Sequence, residues 1–116
     1  MPEIFTAVKG GLLWDGTGAD SIKDGVVLVE GSKIVGVGSS RDVEIPEGAN
    51  VIDASGKTVM PGLMDLHVHI FQMIGPLNYL ERFMIPNSLS LLYAVKHARQ
   101  LLEAGFTTCR DLVYPF

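Results

Sequence analysis

Val59-Met60-Pro61-Gly62-Leu63-Met64-Asp65-Leu66-His67-Val68-His69-Ile70 is the stretch on which the reading of this chain turns. Pro61-Gly62 punctuates the backbone, and an alternating run follows that puts Asp65, His67 and His69 on one face. On an extended strand, residues two apart point the same way, with Cα atoms roughly 6.5–7 Å apart. Two imidazoles so placed can converge on one metal ion, at about 2.0–2.1 Å each if the ion is zinc. Leu66 and Val68 face the other way and are apolar enough to pack beneath a layer of helices. The stretch reads as a metal-binding strand.

Toward the N-terminus the sequence reads as short β-prone runs separated by glycines: residues 4–8, 12–14, 25–30, 33–38, 50–53 and 58–60. Asp15-Gly16-Thr17-Gly18 and Ser55-Gly56-Lys57 are turn signals, and Glu30-Gly31-Ser32-Lys33 closes a hairpin. The expected product is a small antiparallel β domain over residues 1–60, sandwich-like and incomplete. Toward the C-terminus the texture changes to β/α. Leu77, Leu80 and Met84 recur at helical spacing in residues 77–85. Pro86-Asn87-Ser88 then starts a helix over residues 89–104, with Asn87 or Ser88 as N-cap. Its apolar stripe is expected to be Leu91, Val95, Ala98 and Leu102, widened by Ala94 and Leu101, with Gly105 as the C-terminal stop. Residues 106–112 are rich in β-branched and aromatic types and read as a strand. Strand, helix and strand make a βαβ unit with parallel strands, which is normally covered on both faces or closed into a barrel. Two strands and one helix do neither, so residues 61–116 read as the beginning of a larger α/β architecture.

Bulk properties narrow the class. Hydrophobic residues are 47% of the 116 and charged ones 19%, which favours a buried core over disorder. The net charge of -4 is spread without a basic stripe, so no nucleic-acid partner is expected. Cys109 stands alone and cannot form an internal disulfide, the start Met1-Pro2-Glu3 lacks the pattern of a secretory signal, and no apolar run is long enough to span a bilayer. The default expectation is a cytoplasmic protein with no membrane association.

The run Val51-Ile52-Asp53-Ala54-Ser55-Gly56-Lys57-Thr58-Val59-Met60-Pro61-Gly62-Leu63-Met64-Asp65-Leu66-His67-Val68-His69 resembles the entrance to the barrel in the amidohydrolase superfamily of metal-dependent hydrolases. Leu13-Trp14-Asp15-Gly16-Thr17-Gly18 is similar to the first hairpin of that family's N-terminal β domain. Leu102-Glu103-Ala104-Gly105-Phe106-Thr107-Thr108-Cys109-Arg110-Asp111-Leu112 resembles the second barrel strand of the branch holding imidazolonepropionase-like proteins and Xaa-Pro dipeptidases. Relatives often continue past that strand with glycines, where this chain has Val113-Tyr114-Pro115-Phe116.

The resemblance implies a (β/α)8 TIM-type barrel, of which residues 61–116 would be the first two strands and the crossover helix. A full barrel takes about 250 residues. It implies one or two divalent metals, zinc the leading choice, with His67 and His69 as ligands. The remaining ligands and the catalytic aspartate would come from later strands. Asp65 is read either as a partner that orients an imidazole or as a residue of the barrel floor. No residue of this chain is assigned as catalytic. Asp111, at the end of the second strand, is an active-site candidate, with a structural ion pair as the alternative. Cys109 reads as a small buried strand residue and His97 as solvent-exposed. Phe71, Met73, Ile74 and Tyr79 line a substrate pocket or pack the loop on the barrel rim.

The implied activity is hydrolysis of a C–N bond in a small amide, dipeptide or cyclic amide by metal-activated water. The isolated chain is expected to be inactive, to need the rest of the barrel or a complementing chain, and to associate through exposed apolar edges, so a homo-oligomer is compatible with the reading. The alternative is a non-catalytic metal-binding or interaction module, or one subunit of a split hydrolase.

Overall fold

The computed structural model describes residues 4–71 and 84–112, which fall into two compact units divided between Pro61 and Gly62. The expected helix over residues 77–85 lies outside the described residues, apart from its last two.

The first unit is a single five-stranded sheet in which β1 (Phe5–Leu13) is the hub. β2 (Ile22–Glu30) pairs with it antiparallel, and β3 (Lys33–Ser39) pairs with β2 through the expected hairpin. On the other side of β1 lie β4 (Asn50–Asp53) and β5 (Thr58–Val59), and both run parallel to it. The expectation of an antiparallel sheet is corrected here. The sheet is mixed, because residues 40–49 carry the chain back to the end of the sheet where β1 starts, so β4 leaves in the direction of β1. It forms one layer, in the order β3-β2-β1-β4 with β5 also on β1.

Residues 4–8 and 12–14, expected as separate strands, are joined in one. Gly10 takes a φ of +92°, and the register with β2 shifts on both sides of Gly11, so the glycines make a bulge in a continuous strand. The crowding at Gly11 explains the choice: a Cβ there would lie 2.9 Å from both the Lys57 carbonyl oxygen and Val59 Cγ2. Its removal lets β1 accept the returning chain, with Ala54 N–H donating to Lys9 O at 2.7 Å and Trp14 N–H to Val59 O at 2.8 Å. Ala7, Leu13, Val26, Leu28 and Ala54 form the buried core. Two turns are closed by carboxylates. Asp15 Oδ1 accepts from the Thr17 N–H and hydroxyl, and Asp53 Oδ1 from the Ser55 N–H and hydroxyl. These bonds favour the ionised form and hold both carboxyls below their ordinary value of 3.8, the Thr17 N–H being the larger cause for Asp15 and the Ser55 hydroxyl for Asp53.

The second unit contains β6 (Leu63–Val68), α1 (Asn87–Glu103) and β7 (Phe106–Asp111), with β6 and β7 parallel as the βαβ pattern requires. Gly62 sits where β6 meets β7: a Cβ there would run into the Thr107 side chain. The helix starts earlier than expected. Pro86 is its N-cap, with no side-chain capping bond, so Asn87 and Ser88 already lie within the first turn. Its end agrees with expectation: Gly105 takes a φ of +91°, and its N–H donates to Leu102 O at 3.0 Å.

The face of α1 that is covered is Ser90, Ala94, His97, Ala98 and Leu101, rotated from the expected stripe. Leu91, Val95 and Leu102 remain more than half exposed. The two most buried of these, Ser90 and Ala94, are small. Met64 and Leu66 on β6 are also exposed, so the unit presents apolar surface on both strand and helix.

Candidate metal centre

β6 ends at Val68, which is buried and anchors the strand, and His69 lies one residue beyond. The alternation of the strand carries His67 to the same region. The two rings meet edge to face, with centroids 5.1 Å apart and planes at 90°. His67 is exposed and His69 half-buried. His69 Nδ1 is fully buried and has no hydrogen-bond partner. An unpaired polar atom in that position costs free energy unless something outside the protein chain satisfies it. An imidazole nitrogen with a second imidazole alongside suits a borderline cation such as zinc. The pair therefore fits two donors of a metal site. Among the described residues no group of three His, Cys, Asp or Glu side chains could hold an ion.

Asp65 does not reach an imidazole. Its Oδ1 accepts the backbone N–H of His67 at 3.0 Å, so it stiffens the strand immediately before the pair. Asp111, the active-site candidate, turns its Oδ2 onto the N–H of Ile70 at 3.0 Å. Neighbouring Arg110 donates from Nε to Leu66 O at 3.1 Å, which ties β7 to β6. Cys109, expected to be buried, is exposed, because nothing among the described residues covers that part of β7. Phe71 is half-buried at the end of the described loop; Met73, Ile74 and Tyr79 lie outside the described residues.

Sequence reasoning also misplaced His97. It is half-buried, its Nδ1 lies 2.7 Å from Ile70 O, and Tyr93 leans over it with ring centroids 6.0 Å apart. The signal was present in the spacing: 90, 94, 97 and 101 mark one helical face, rotated from a stripe centred on Leu91, Val95, Ala98 and Leu102. A cavity of about 280 Å³ is lined by Asp65, His67, His69, His97 and Gln100, with Val68, Ile70 and Leu101 as its apolar wall.

A parallel βαβ unit with a histidine pair at the end of its first strand, preceded by a β-sheet unit, defines a recognisable class. The chain belongs to the amidohydrolase family, whose sequence model matches residues 58–115, half of the 116. Imidazolonepropionase of Alkaliphilus oremlandii is 46% identical over 52 residues, which are 42% of this chain and 12% of that protein. Dihydroorotase of Geobacter sulfurreducens is 42% identical over 64 residues, or 54% of this chain and 14% of that one. The crystal structure of a prolidase complexed with N-methylphosphonate-L-proline matches with a TM-score of 0.78 at 34% identity, over 92% of this chain and 25% of the prolidase. The chain thus spans about a quarter of the solved relative and a smaller share of the curated ones. The superfamily resemblance carried by residues 51–69 and 102–112 holds.

Proposed function

We propose that this chain supplies the N-terminal β unit and the first two strands of a (β/α)8 barrel hydrolase, and that His67 and His69 are two of its metal ligands. The observation that carries the proposal is the buried, unpartnered Nδ1 of His69 beside His67, at the end of the first of two parallel strands. Barrel enzymes of this architecture place functional groups at that end of their strands. A divalent ion held there supplies Lewis-acid polarisation of a carbonyl and acidification of water. The reaction class is hydrolysis of a C–N bond in a small amide, dipeptide or cyclic amide, in keeping with membership of the amidohydrolase family.

The chain's own residues have definable tasks. His67 and His69 offer nitrogen donors, and Asp65 fixes the peptide of His67. Val68 seats the strand beneath them. The exposed apolar residues of α1 and β6 support a unit that is completed by further β/α elements. Two imidazoles fall short of the three protein ligands a catalytic zinc normally has. Zinc association with this chain is therefore expected to be weak, and lost in His67→Ala and His69→Ala. Equilibrium dialysis with metal analysis reads this directly. Tight stoichiometric zinc that survives both substitutions, or steady amide hydrolysis by this polypeptide alone, would overturn the proposal.

A further inference from the structure

Ile70, the residue after His69, is gripped through both of its backbone groups. Its N–H, in the peptide that joins it to His69, donates to Asp111 Oδ2 on β7 at 3.0 Å, and its carbonyl, in the following peptide, lies 2.7 Å from His97 Nδ1 on α1. We infer that His97 is a positioning residue for the histidine pair: together with Asp111 it clamps the Ile70 backbone and so sets the direction of the His69 ring. This rests on the reading of His67 and His69 as ligands.

The physical case has three parts. Because a carbonyl only accepts, the 2.7 Å contact requires Nδ1 of His97 to carry the proton and donate. His69 lies beyond the last residue of β6: the Val68 carbonyl before it accepts from the Leu112 N–H at 3.2 Å, and on its other side the backbone is held through Ile70. Tyr93, one turn earlier on α1, packs against the His97 ring and restricts its rotation. Strand β7 and helix α1 thus both bear on the backbone of one residue, at a point where a freely rotating chain would leave the His69 nitrogen undirected. Ligand direction of this kind is what second-layer contacts around metal sites provide.

The test uses the full chain and three substitutions. Asn places its side-chain nitrogen near where His carries Nδ1, whereas Gln places it near Nε2, so His97→Asn keeps the donor and His97→Gln misplaces it. The measurements are amide hydrogen exchange at Ile70 and zinc affinity by dialysis with zinc alone, with exchange in the middle of α1 as the control for folding. His97→Ala is expected to speed exchange at Ile70 about tenfold and to weaken zinc binding about tenfold. His97→Asn should restore both, and His97→Gln neither. Unchanged exchange at Ile70 in His97→Ala, or equal rescue by Asn and Gln, overturns the clamp. Faster exchange with unaltered zinc affinity overturns its role toward His69. Absence of zinc binding by the unsubstituted chain refutes the ligand reading instead, and the exchange comparison still decides the clamp.

Discussion

Gly62→Ala is the perturbation whose consequence the structure specifies most closely. A methyl group built on Gly62 would collide with Oγ1 and Cγ2 of Thr107 and stand 2.8 Å from its Cβ. Rotating Thr107 moves the first two atoms away but leaves the third, and carbon atoms pack comfortably only at about 3.5–4.0 Å. The strands must therefore part at the point where Leu63 N–H donates to Gly105 O at 2.9 Å and β6 enters the ladder. Overpacking of this kind costs about 1–3 kcal/mol. The exposed setting of Thr107 allows some outward relaxation, so a value near the middle, about 2 kcal/mol, is expected. With a urea dependence of about 1–3 kcal/mol/M, the unfolding midpoint followed by the helical circular dichroism of α1 should fall by about 1 M. Adding Thr107→Gly removes the obstructing Cβ and should recover about 1 kcal/mol as a coupling energy. A Gly62→Ala chain within about 0.5 kcal/mol of the parent would show that the close approach, and the strand register built on it, is wrong.

Other outcomes follow from the same structure. Removing the Asp111 carboxylate with Asp111→Ala leaves the Ile70 N–H without its acceptor and should cost about 1–3 kcal/mol by urea unfolding, while Asp111→Asn, which keeps an oxygen, should cost less. Asp15 and Asp53 should titrate below 3.8 when followed by carboxyl NMR, and replacing Thr17 or Ser55 by Ala should bring the corresponding midpoint back toward it. Since these folded values are depressed, the stabilisation is present above the unfolded value and is lost as pH falls through the folded one. Asp53→Asn should therefore flatten the acid side of the stability profile below about 3.8, because the stabilisation that the ionised carboxylate adds at neutral pH is then missing throughout. Replacing Leu91 and Val95 with Lys should reduce self-association in sedimentation experiments without loss of helix, because both side chains are exposed on the helix.

What the sequence made legible was the part governed by local periodicity and punctuation. The alternation from Leu63 to His69, the Gly105 stop and the Gly31 hairpin each depend on a few neighbouring residues, and each stands in the structure. Parallel pairing of β4 and β5 with β1 was not legible, since it depends on where residues 40–49 deliver the chain and no local pattern encodes that. The covered face of α1 was misjudged for a related reason. Periodicity suggested a stripe centred on Leu91, Val95, Ala98 and Leu102 and widened by Ala94 and Leu101, whereas burial is greatest at Ser90 and Ala94. His97 followed the same error, read as solvent-exposed when it is half-buried and bonds the chain next to His69. The histidine pair itself was fully legible because the strand period of two brings His67 and His69 together. Its polar surroundings, Asp65 on the His67 peptide and Asp111 on the Ile70 peptide, required the ladder between β6 and β7.

The central claim is that His67 and His69 form a metal-binding pair, with His97 engaged elsewhere. Imidazole nitrogen NMR of the uniformly labelled chain during zinc addition tests it most directly. The expected result is a joint, saturable shift of one nitrogen in each of His67 and His69, while the His97 nitrogens stay in place. Zinc-dependent shifts at His97 alone, or none at His67 and His69 at any zinc concentration the chain tolerates, would contradict the account.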